Sequence, residues 1–112
     1  MPTSGRYLLD TNILIALLQG ESGILTEIRS ADEVFLPIIA IGELLFGAEK
    51  SGRPAQNRAT IERLAASQTL LPCDLSVARE YGVLKKQLRE KGRPIPENDM
   101  WIAATAIRHS LV

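Results

Sequence analysis

A chain of 112 residues has room for one domain with one core and excludes two. Its 46% hydrophobic and 23% charged content is that of an ordinary globular protein. Thirteen basic against thirteen acidic residues leave no net charge, which excludes a global basic field, so any nucleic-acid contact must rest on a local patch.

Residues 6–9 read as a short buried strand, followed by a helix over residues 11–19 that Gly20 ends. Asp10 stands at the junction, where a carboxylate accepts from the orphan N–H groups of a first turn. Residues 22–30 read as a second short helix, with Ile24, Leu25 and Ile28 at helical spacing. A second strand covers residues 33–36, and Pro37 suits the first turn of a long helix reaching Lys50. Residues 51–54 form a loop, residues 56–67 a further helix, and residues 69–72 a third strand. The pattern over residues 75–90 is amphipathic, with Ala78, Tyr81, Leu84 and Leu88 on the apolar face. Gly92 stops that helix, residues 93–96 form a stiff extended connector, and the last helix spans residues 97–109.

Strands alternating with helices predict an α/β domain over residues 1–112, a parallel sheet covered by helices on both faces. Ser110, Leu111 and Val112 look like the opening of a fourth strand, so the sheet is expected to lack its last strands. No apolar run approaches the roughly 20 residues of a membrane span, and Asp10 falls too early for a signal peptide. One cysteine, Cys73, rules out an intramolecular disulfide and fits a reducing, cytoplasmic location; its thiol is expected to be a small buried hydrophobe. Zero net charge gives little colloidal repulsion, so self-association or a partner chain is unsurprising.

Three acids, Asp10, Glu43 and Asp99, interrupt segments that otherwise read as buried apolar structure. A carboxylate beside a core is costly unless donors or a cation compensate it. Three gathered by folding would repel one another, and a hard divalent cation is the usual remedy. Each acid also has a plainer reading. Asp10 can be a helix cap; Asp99 can be a first-turn acid favoured by the helix dipole. Glu43, Gly47 and Lys50 fall at i, i+4 and i+7 and can form a solvated helix face. In a parallel α/β sheet, ligands gather beyond the carboxyl ends of the strands, and Asp10 stands at such an end.

The flanking residues carry a family resemblance. Tyr7-Leu8-Leu9-Asp10-Thr11-Asn12-Ile13-Leu14-Ile15 resembles the opening strand of PIN-domain nucleases. Ile39-Ala40-Ile41-Gly42-Glu43-Leu44-Leu45-Phe46-Gly47-Ala48 is similar to their second motif, and Asn98-Asp99-Met100-Trp101-Ile102-Ala103-Ala104-Thr105-Ala106 to their third. The branch resembled is the VapC-like toxins of type II toxin–antitoxin modules. The resemblance implies a PIN-like fold in which Asp10, Glu43 and Asp99 are catalytic and hold Mg²⁺ or Mn²⁺. Thr11, Asn12 and Asn98 would support that site. It further implies an endoribonuclease using a metal-activated water, a homodimer, and a VapB-like antitoxin that blocks the acidic groove. The family usually carries a fourth acidic or amide position after the next strand, which this sequence does not reach; Asp74 and Glu97 do not match it. Weak metal binding and little nuclease activity are therefore expected of this form.

Lys85, Lys86 and Arg89 share the last turns of one helix and are candidates to track RNA phosphates, or form a solvated face. Lys50, Arg53 and Arg58 surround another loop. Stacking on unpaired bases needs aromatics, and most of Tyr7, Phe35, Phe46, Tyr81 and Trp101 read as core. His109, near a helix C-terminus, reads as a surface residue compatible with the dipole. Two rival classes remain open. A phosphoryl-transfer domain would also place Asp10 after a first strand, but a haloacid-dehalogenase type wants an acid where Asn12 stands, and a receiver type wants an acidic pair at that strand. The other rival is a catalytically inactive PIN-like module that only binds antitoxin or RNA.

Overall fold

The computed structural model describes residues 6–20 and 33–111. The helix expected over residues 22–30 lies outside them, as does Val112. Within that range the order is β1 (Arg6–Leu8), α1 (Thr11–Leu18), β2 (Glu33–Pro37), α2 (Ile38–Lys50), α3 (Pro54–Ser67), β3 (Thr69–Leu71), α4 (Leu75–Glu90) and α5 (Glu97–Arg108). The strands form a parallel sheet in the order β1-β2-β3. Leu8 lies opposite Phe35 on one side of β2, and Leu36 opposite Leu70 on the other.

Successive strand residues point to opposite faces of a sheet. Phe35 and its neighbour Leu36 are only 7% and 0% exposed, so both faces of the central strand are covered, as the apolar run in β2 predicts. The main cluster joins Leu8, Leu36, Leu14 of α1, Ile41 and Leu44 of α2, and Ile102 of α5. Burying a side chain the size of Leu36 contributes about 2 kcal/mol. In α2 the buried residues Ala40, Ile41, Leu44 and Ala48 follow the helical repeat. This leaves Glu43, Phe46, Gly47 and Lys50 on the outer side, where the bare salt link of Glu49 to Arg58 at 2.5 Å also ties α2 to α3.

Caps set the helix boundaries. Asp10 Oδ1 accepts from the Ile13 N–H at 2.9 Å and opens α1. Pro54 occupies the first turn of α3, where its missing N–H costs nothing. Asp74 Oδ1 accepts from the Val77 N–H at 3.1 Å and from the Ser76 hydroxyl at 2.6 Å, opening α4. Those two donors, the hydroxyl first, hold the Asp74 carboxyl below its ordinary pKa. Gly92, at φ +65°, closes α4 as the left-handed residue of a Schellman motif: its N–H reaches Arg89 O at 3.1 Å and Arg93 N–H reaches Leu88 O at 2.8 Å.

Two expectations are corrected here. Ser110 and Leu111 do not open a strand. Ser110 takes φ 54°, its N–H bonds Ile107 O at 3.2 Å, and Leu111 N–H bonds Ala106 O at 2.8 Å, so together they close α5 with a second Schellman motif. Leu111 then packs against the core. Cys73, expected to be buried, is exposed, because β3 ends at Leu71 and the chain turns outward to bring Asp74 to the start of α4. Partial desolvation still raises its thiol pKa.

Candidate functional site

Asp10 leaves the carboxyl end of β1 and Asp99 sits in the first turn of α5. Both line one open depression of about 310 Å³, with Leu8, Ile102, Ala103 and Ala106 as its apolar wall. Glu43 and Asn98 line a neighbouring depression of about 400 Å³ together with Ile38, Ile39, Gly42 and Phe46. Asn98 and Asp99 are consecutive in the first turn of α5, and each lines one of the two hollows. Thr11 provides the second link: it follows Asp10, and its Oγ1 donates to Glu43 Oε1 at 2.5 Å. The observed link is thus Thr11 to Glu43, with Asp10 the residue before Thr11 in the chain.

Of the six expected acid-site residues, Asp10 and Asp99 share one depression, Glu43 and Asn98 share another, and Thr11 bonds Glu43. Asn12 is exposed on the first turn of α1 and lines neither depression. Glu43 is half-buried, whereas Asp10 and Asp99 are exposed. Among the described residues, no three His, Cys, Asp or Glu side chains are gathered closely enough to hold one ion. The donor set nevertheless fits Mg²⁺ or Mn²⁺. It consists of carboxylate and amide oxygens, and Mg²⁺ is commonly held by one or two carboxylates, its other positions taken by water and substrate phosphate. Asp10 and Asp99, facing one hollow, meet that description; Glu43 adjoins it through Thr11.

The first turn of α5 is itself held from outside. Tyr81 of α4 stacks on Trp101 with ring centroids 3.9 Å apart and planes 8° from parallel. Its hydroxyl donates to Glu97 Oε1, and Lys85 Nζ donates to the Tyr81 hydroxyl at 3.0 Å while lying 3.5 Å from Glu97 Oε2. The Tyr81 hydroxyl, and then the Lys85 charge, lower the Glu97 pKa; the same contact with Tyr81 raises that of Lys85. Sequence reading missed this network, because its partners are 16 residues apart on different helices.

Lys85, Lys86 and Arg89 do share a surface: all three line an open depression of about 520 Å³ on α4 with Gly82 and Glu90. Lys85 is engaged with Tyr81 and Glu97, so Lys86 and Arg89 are the more available pair. Arg58, one of the other basic candidates, is bound to Glu49, which raises its pKa. Among the five aromatics, most of which read as core, Phe46 lies at the surface, 63% exposed, with Lys50 Nζ 4.4 Å from its ring centroid. The signal was present in the sequence, since Glu43, Phe46 and Lys50 fall at i, i+3 and i+7 on one face of the helix. His109 caps α5 at the end opposite Asp99 and, expected at the surface, is half-buried, its Nε2 enclosed without a hydrogen-bond partner among the described residues.

The model of the PIN domain matches residues 7–112. Among curated proteins, the chain is similar to Ribonuclease VapC2 of Haemophilus influenzae strain Rd, 36% identical over 109 residues that cover 96% of this chain and 83% of that protein. It is also similar to the tRNA(fMet)-specific endonuclease VapC of Shigella flexneri, 29% identical over 96% of this chain and 83% of the relative. Among solved structures, VapBC-1 from nontypeable Haemophilus influenzae superposes with a TM-score of 0.84 at 32% identity, covering 95% of this chain and 82% of that one. The parallel sheet with acids beyond its carboxyl edge, the match over nearly the whole chain and these relatives agree: the chain belongs to the PIN-domain family, in its VapC-like branch.

Proposed function

We propose that this chain is a metal-dependent endoribonuclease of the VapC toxin type, with Asp10, Asp99 and Glu43 as its acidic residues. The observation that carries the reading is the shared depression of Asp10 and Asp99, adjoined by Glu43 through the Thr11 hydroxyl. The relatives named ribonuclease and tRNA-specific endonuclease support RNA as the substrate class.

Asp10 and Asp99 would hold Mg²⁺ or Mn²⁺, and Glu43 would complete the set. The chemistry supplied by such an ion is a lowered pKa for water and a countercharge for the scissile phosphate. The chain's own part is positioning. Asp10 is fixed by its cap to Ile13, which leaves Oδ2 for the site. Thr11 occupies one oxygen of Glu43 and so orients the other. Asn98 presents an amide to the same hollow as Glu43 and suits a phosphate or ribose contact. Neither a histidine base nor a covalent nucleophile is needed.

By likeness to VapBC-1, the partner is a VapB-like antitoxin, and a homodimer is the assembly we propose. No helix among the described residues is long and apolar enough to cross a membrane, in keeping with a cytoplasmic site of action.

Cleavage of a mixed RNA pool with Mg²⁺ or Mn²⁺ tests the reading, alongside Asp10→Asn, Glu43→Gln and Asp99→Asn. Activity that requires the ion and falls with each substitution supports it. A second reading, a module that binds RNA or antitoxin without cutting, draws on the open spacing of the three acids. RNA binding with no cleavage, and no heat of Mn²⁺ binding by calorimetry, would select it.

A further inference from the structure

Phe46 lies on the rim of the depression that Glu43 and Asn98 line, and 63% of its surface is exposed among the described residues. A single exposed apolar side chain is ordinary on a protein surface, so its location carries the argument. Lys50 Nζ lies over the ring, 4.4 Å from its centroid, so a cation rests on one face of an otherwise exposed aromatic. Gly42 lines the same hollow, and a Cβ built there would meet no atom within 4 Å. A mid-helix glycine weakens α2, and packing among the described residues does not call for one. The bare backbone leaves room above the helix between Phe46 and the acids.

A flat aromatic face, a mobile cation and an open approach to a phosphodiester-cleaving site are the parts that single-stranded nucleic acid uses. A protein partner anchored on Phe46 would want an apolar, water-excluding surround. Here the ring is wet and bears an ammonium, which favours a polyanion.

We infer that Phe46 is the stacking platform for one unpaired nucleobase of the RNA strand. This rests on the ribonuclease reading and extends it to how the strand is gripped. When the base stacks, Lys50 leaves the ring and meets the adjoining phosphate. Specificity for unpaired RNA follows, because a base inside a duplex is already stacked on both faces.

The test uses Phe46→Trp in the Asp10→Asn background, which keeps the helix cap and blocks cleavage. It is titrated with Mg²⁺ present against a six-nucleotide oligoadenylate and an abasic oligomer of equal length and charge. The same titrations without Phe46→Trp measure the background from Trp101. The expected result is saturable quenching by oligoadenylate only, with the abasic oligomer bound about tenfold more weakly. Phe46→Leu, which keeps an apolar side chain at this exposed position, should lower oligoadenylate affinity about five- to a hundredfold and abolish the discrimination. Equal binding of both oligomers without quenching overturns the platform and leaves the ribonuclease reading standing. Binding of neither overturns both. Unchanged RNA affinity in Phe46→Leu, with loss of antitoxin binding instead, reassigns the ring to a protein contact.

Discussion

Thr11 and Glu43, 32 residues apart, are joined by a hydroxyl-to-carboxylate hydrogen bond of 2.5 Å that connects the first turn of α1 to the middle of α2. It holds one oxygen of the half-buried glutamate against the residue that follows Asp10. Groups that orient a site acid are commonly worth about 10- to 100-fold in metal affinity or activity. Thr11→Val, close to isosteric, should lower metal-dependent RNA cleavage by about that factor while leaving the melting temperature nearly unchanged. Thr11→Ser should restore it. A full rate in Thr11→Val would remove the orienting role.

Leu36 is the central residue of the sheet and wholly enclosed. Leu36→Ala should destabilise the fold by about 3 kcal/mol, the transfer loss plus a cavity that a sheet residue cannot close. Urea unfolding measures it, and a loss below 1 kcal/mol would mean that neighbouring helices collapse into the gap.

Ser110 holds the left-handed conformation that glycine usually supplies at the end of a helix. Among the described residues its side chain has no hydrogen-bond partner in exchange, and it is exposed. Ser110→Gly should therefore raise stability by about 1 kcal/mol, or about 4 °C in a domain of this size. Calorimetric melting of the two proteins decides the sign.

The pH response of α4 follows from Asp74. Its folded pKa is depressed below the ordinary 3.8, chiefly by the Ser76 hydroxyl and then by the Val77 N–H. A depressed acid stabilises the folded state above its unfolded pKa, and that contribution fades as pH falls from there through the folded pKa. Asp74→Ala should lose stability at neutral pH and show a shallower decline on acidification. Parallel melting curves at neutral pH and below pH 4 would show the difference; an identical acid limb would refute it.

On the basic face of α4, Lys86 and Arg89 line one depression, while Lys85 is committed to Tyr81 and Glu97. If the face tracks phosphates, Lys86→Ala with Arg89→Ala should weaken RNA binding and reduce the salt slope by about two. Lys85→Glu should act differently, by loosening the first turn of α5 and lowering cleavage more than binding. An unaltered salt slope in the double variant would return the face to solvent.

The legible parts of this molecule were those written in short-range periodicity. β2 could be read because consecutive apolar residues mean a strand covered on both faces, and α4 because its apolar residues recur at helical spacing. Asp10 was legible as a cap because capping is local. The ends were harder. Leu111 looked like a strand residue because Ser110 lacks the glycine that normally announces a Schellman turn. Thr11 meeting Glu43, and Tyr81 meeting Glu97, depend on how elements cross, and no spacing encodes that. Cys73 was misplaced because a thiol next to an apolar strand reads as core, and the strand ends two residues earlier.

Asp10 caps α1 with one oxygen, and in the proposed site the other would serve the acidic cluster. Its persistence in any descendant of this chain is therefore no sign of retained activity. A lineage that stopped cutting RNA would still be held to Asp, Asn, Ser or Thr at this position by the needs of the helix. Glu43 and Asp99, which cap nothing, would be released to drift. The fate of those two, and not of the first, is the record to consult when asking whether a related chain still acts as an enzyme.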